Sequence, residues 1–150
     1  MPGNKNLFSR LTENVKNTKN NFISLPDGRV YRYSDMFELT SRYANALKTI
    51  GIRKNDRVLV QTEKQIECIW LYLACLRIGA IYITINPAYT LTETEYFITD
   101  SKPKLFVITE FNEHAALLEL CKKLNDIIVK DLKNNGNNSI CELASHESTE

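Results

Sequence analysis

Glycine is scarce in this chain and nowhere clustered. The five glycines among 150 residues are Gly3, Gly28, Gly51, Gly79 and Gly136. No two stand at G-x-G-x-x-G or G-x-x-x-x-G-K spacing, so the backbone cannot bring several N–H groups against one phosphate. A dinucleotide fingerprint and a Walker-type loop are thereby excluded from these residues. Cysteine is equally uninformative as a metal or redox signal. Cys68, Cys75, Cys121 and Cys141 form no C-x-x-C pair, and His114 and His146 are not spaced with them as zinc ligands. Cys68 and Cys75 share a helix face and read as small hydrophobes. Such thiols fit a reducing compartment, and the expected location is cytoplasmic. Charge of one sign is also missing: the net charge is +1. The basic pairs Lys102/Lys104 and Lys122/Lys123 are too sparse for a nucleic-acid or anionic-membrane footprint. Residues Met1 to Asn21 are polar, with no apolar signal core. The most apolar run, Ile66 to Ile85, is interrupted by Glu67, Arg77 and Gly79, so no span of ~20 apolar residues is predicted.

What remains is ordinary globular composition, 43% hydrophobic and 25% charged, at a length that suits about one domain. The spacing of Leu7, Leu11 and Val15 predicts a short amphipathic helix within 4–20. Pro26-Asp27-Gly28 between β-prone flanks predicts a hairpin over 22–33. A helix follows over 34–50, capped by Ser34 or Asp35 with Glu38 in a capping-box position and stopped at Gly51. Next come a buried strand at 57–61, a helix over 64–78 that is apolar nearly all round, and a strand at 80–85. A short helix over 92–99 carries Thr92 and Glu95 at capping-box spacing and ends before Pro103. Strand 104–109, helix 112–124 and strand 126–129 complete the series. Alternation of this kind predicts an α/β fold: an N-terminal hairpin, then alternating helices and a mostly parallel sheet. Residues 133–150 are rich in Asn, Ser and Glu and read as a mobile polar tail, with a loop at 134–138.

No constellation of reactive groups emerges. Glu93, Glu95 and Asp100 lie at helix ends, where they complement the helix dipole; Glu63 and Glu67 flank Lys64 in the same way. His114 and His146 have no Ser or Cys in a nucleophile elbow. Tyr31, Tyr33, Tyr72, Tyr82, Tyr89 and Tyr96 lack the interleaved basic residues of a base-stacking surface and read as core-edge positions. Composition and spacing alone reach an α/β domain and no function.

Three stretches carry the reading further. In Leu76-Arg-Ile-Gly-Ala-Ile-Tyr-Ile-Thr-Ile-Asn-Pro-Ala-Tyr-Thr90 a long apolar helix stops at Gly79, a buried strand starts at once, and Asn86-Pro87 breaks it. This resembles the second core motif of the adenylate-forming enzymes, the superfamily of acyl-CoA synthetases, luciferases and peptide-synthetase adenylation domains. Val30-Tyr31-Arg32-Tyr33-Ser34-Asp35-Met36 resembles the first core motif. Gly51-Ile-Arg-Lys-Asn-Asp-Arg-Val58 resembles the family's Gly-Val-x-x-Gly-Asp-Arg-Val connection, with Asn55 in place of the usual glycine. Within the superfamily, Asn6-Leu7-Phe8, Glu63-Lys64, Leu71-Tyr-Leu-Ala-Cys-Leu-Arg77, Ala88-Tyr-Thr-Leu-Thr-Glu93 and Glu95-Tyr-Phe97 are most similar to malonyl-CoA synthetases, from which Thr84 departs, proline being usual there. The likeness covers about residues 7–130.

The resemblance implies residues 1–130 as the first subdomain, incomplete, of the adenylate-forming fold, and 131–150 as a mobile tail. It also implies a two-step reaction. A small-molecule carboxylate, malonate or another acyl acid, attacks the α-phosphorus of Mg-ATP, giving an acyl-adenylate and pyrophosphate. The thiol of coenzyme A then displaces AMP. ATP, Mg2+ and coenzyme A are thus implied for a full-length parent, and none is expected to bind these residues tightly. The family's glycine-rich phosphate loop, nucleotide contacts and mobile catalytic lysine map onto no residue here. The expected catalytic, cofactor-binding and metal residues are therefore none. The leading expectation is an N-terminal fragment of an ATP-dependent carboxylate:CoA ligase, inactive alone. The alternatives are a self-standing flavodoxin-like binding or interaction domain, or a truncated non-catalytic relic.

Overall fold

A computed structural model describes residues 6–109, 115–124, 127–133 and 138–149. His114 and most of the expected loop at 134–138 lie outside the described residues. The elements are α1 (Leu7–Thr12), β1 (Asn21–Ser24), β2 (Val30–Arg32), α2 (Tyr33–Thr49), β3 (Arg57–Gln61), α3 (Ile66–Ile78), β4 (Ile81–Thr84), α4 (Leu91–Ser101), β5 (Leu105–Ile108), α5 (Ala115–Lys123), β6 (Ile128–Asp131) and α6 (Ile140–His146). β1 and β2 form the antiparallel hairpin, and β4-β3-β5-β6 form a parallel four-stranded sheet, as the alternation implied.

β3 and β5 sit centrally, and their side chains divide the core between two faces. Val58, Val60, Leu105 and Val107 point toward α2, α3 and α6. Leu59, Phe106 and Ile108 point toward α4 and α5. Every residue of β5 is buried, which is why a parallel strand reads as a continuous apolar run rather than an alternating one. The hairpin lies against α3: Trp70 meets Tyr31 at 5.1 Å and Phe22 at 6.1 Å between ring centroids. Gly28 takes φ +88° in the turn, the conformation that Gly allows without a Cβ penalty.

Four expectations are corrected. The first helix is shorter than its spacing implied, and the stripe is not its buried face: Leu7 is 49% and Leu11 58% exposed. It docks instead through Phe8, set edge-on against Phe37 with the Arg77 guanidinium over its ring, and through Asn6. The Asn6 amide donates to Leu76 O at 2.9 Å, while its Oδ1 caps the helix at Ser9 N.

The second helix begins at Tyr33, not at Ser34 or Asp35. Its first N–H groups are taken by carbonyls ahead of the hairpin, Tyr33 N–H by Asn20 O and Ser34 N–H by Thr18 O. Asp35 closes the turn by accepting from Arg32 N–H at 2.7 Å. The capping pair of the fourth helix stands two residues earlier than expected. Thr90 Oγ1 accepts from Glu93 N, and the Glu93 carboxylate accepts from Thr90 N at 2.8 Å.

The segment read as a mobile polar tail carries α6. Ile140 and Ala144 enter the core. Ser41 Oγ donates to Thr149 O at 2.8 Å, Asn45 Nδ2 to Ser148 O at 2.9 Å and Thr49 Oγ1 to Glu147 Oε1 at 2.7 Å, all from α2. Cys141 and Leu143 pack beside Ile140 and Ala144, half-buried against the same core.

Candidate functional site

The three sequence motifs lie at joints of the hairpin and the sheet. In the Gly51–Val58 turn, Asn55 adopts φ +69°, the left-handed region that Asn tolerates better than most residues. Asp56 accepts from Arg53 N at 2.7 Å and from Lys104 Nζ at 3.0 Å, and Lys104 also donates to Gly51 O. Burial opposes ionisation of Asp56, but Lys104, the Arg53 N–H and Arg57 outweigh it and hold the carboxyl below its ordinary range. At the end of α3, Gly79 has φ +76°, and Ala80 N–H returns to Cys75 O at 2.9 Å, so helix passes directly into strand.

Cys75 is fully buried, and burial pushes its thiol up to about 12; the Cys121 thiol is pushed up to about 11 for the same reason. Thiols so protonated are poor nucleophiles. Cys68 rests against Thr62 Oγ1 at 3.2 Å. Cys141 pairs with the Tyr43 hydroxyl at 2.9 Å, and burial raises both groups. All four cysteines are free. Glu93 is held below the usual carboxylate range by the Thr90 N–H and hydroxyl, which marks it as a cap. His146, at the end of α6, faces Glu142 at 3.0 Å on the surface.

The sheet order reverses between β3 and β5: the connection from β3 leads outward to β4, and the next strand returns to the other side of β3. In open parallel sheets, ligands bind beyond the carboxyl ends of the strands at such a reversal. Here Gln61, the last residue of β3, stands opposite Ile108 of β5. A cavity of about 180 Å³ opens beside it, lined by Gln61, Pro87, Tyr89, Leu91, Thr94, Ala116 and Leu117.

Its wall is braced. Gln61 Nε2 donates to Asn86 O at 3.3 Å, Tyr89 O at 3.4 Å and Thr94 Oγ1 at 3.1 Å. Asn86 Oδ1 accepts from Ala88 N at 2.9 Å, fixing the turn that follows the strand break. Tyr89 stacks on Phe97 with centroids 5.3 Å apart. Sequence reasoning did not single out Gln61 or Thr94. The available signal was a polar residue ending an otherwise apolar strand immediately before the reversal.

Among the described residues the lining carries no Asp, Glu, His, Lys, Arg or Cys. Those residues can orient a neutral group by hydrogen bonding and pack against an apolar one. Among the described residues no three metal-ligating side chains converge, and no helix is long and apolar enough to cross a membrane.

Residues 11–148 match the family model described as AMP-binding enzyme. The chain belongs to that family. Apo MatB from Rhodopseudomonas palustris superposes with a TM-score of 0.87 at 34% identity, over 97% of this chain and 28% of MatB. Acetyl-coenzyme A synthetase of Leptospira biflexa is 31% identical over 115 residues, 69% of this chain and 18% of that enzyme. Tyrocidine synthase 3 of Brevibacillus parabrevis is 28% identical over 106 residues, 71% of this chain and 2% of that protein. The chain therefore spans a small part of the length of these relatives, and its fold is that of the N-terminal portion of adenylate-forming enzymes. The match runs past residue 130 and takes in α6, in accord with the packing of that helix on α2.

Proposed function

We propose that this chain is the N-terminal scaffold of an ATP-dependent carboxylate:CoA ligase that activates malonate or a similar short acid. The observation that carries the reading is the superposition on MatB across nearly the whole chain, with 34% of residues identical. The family match does not favour a self-standing flavodoxin-like domain.

ATP, Mg2+ and coenzyme A belong to the proposed activity of the complete enzyme. The described residues do not by themselves fit those groups. The glycines are isolated, and the described residues that line the cavity at the strand ends include no cation to meet a phosphate. No step of the reaction is therefore assigned to a residue here. What these residues supply is placement. Gln61 and Thr94 hold the Asn86–Tyr89 turn, and Asp56 with Lys104 fixes the entry to β3. The carboxyl edge of the sheet is thereby presented as a rigid rim for loops that carry the chemistry, and rigid elements position reacting groups better than loops alone.

ATP–pyrophosphate exchange with malonate tests the reading, measured on the 150-residue chain and on a form extended downstream. Exchange is expected from the extended form only. Exchange by the 150-residue chain alone overturns the scaffold assignment. An extended form that responds to acetate or benzoate but not malonate overturns the choice of acid.

A further inference from the structure

We draw no further inference here: the strongest candidate, the groove between α2 and α6 that Tyr43 and Cys141 line, rests on a lone cysteine whose thiol burial keeps protonated, and nothing in the structure points to a ligand for it.

Discussion

The two faces of the parallel sheet are unequal. Beneath α2, α3 and α6, twenty-one buried residues form one continuous core; beneath α4 and α5, seven do, among the described residues. The first face receives the hairpin through Trp70 and the C-terminal helix through Ile140. The second holds the cavity beside Gln61. Buried apolar area is the main favourable term in folding, so the first face stabilises the chain and the second, more thinly packed, leaves room at the strand ends. A scaffold needs both: a face that fixes the strands and a face that yields space.

The contrast is sharpest for truncations of large side chains. Trp70→Ala should cost about 4 kcal/mol, because it removes the ring on which Phe22 and Tyr31 pack. Leu117→Ala, on the cavity wall, should cost about 2 kcal/mol, since the side chain already borders empty space. Urea denaturation monitored by circular dichroism reads both. Equal losses would end the distinction between the faces.

The joints differ by less. Gly79→Ala, between α3 and β4, should cost on the order of 1–2 kcal/mol, because an L residue is forced to φ +76° and its Cβ falls 3.1 Å from Lys54 Cγ. Thr90→Ala, which uncaps α4 on the other side, should cost about 1 kcal/mol. Thermal melts rank the two, and a larger loss for Thr90→Ala would reverse the assignment.

The smallest effect concerns Asp56. Its carboxyl is held below the ordinary 3.8 in the folded chain. Its contribution is therefore present above pH 3.8 and is lost as the pH falls through the lower, folded value. The pair with Lys104 is partly exposed, so the contribution is no more than about 0.5 kcal/mol. Asp56→Asn should flatten stability between pH 5 and pH 3 by that amount. An unchanged pH profile would show that the turn is held by its backbone alone.

The alternation of helices and strands was legible because parallel strands buried on both faces leave unbroken apolar runs such as Leu105–Ile108, and because Gly79 and Pro26-Asp27-Gly28 mark their boundaries by steric necessity. The first helix was misjudged because a repeat of leucines states only which residues share a face, not whether that face meets anything. Phe8 had a partner surface; Leu7 and Leu11 did not. The last helix was missed because Ile140 and Ala144 amount to little until α2 offers them a groove. The Gln61–Thr94 brace was invisible because its members lie thirty-three residues apart, and a hydrogen bond between them leaves no periodic trace.

From the residues alone came the class of fold, the family likeness and the negative finding about phosphate loops, since these rest on local spacing and on the conformations that glycine and proline permit. Tertiary structure decided which apolar faces were truly buried and where the cavity lies. Those outcomes depend on surfaces that meet only after the chain has folded, and no local stretch contains both partners.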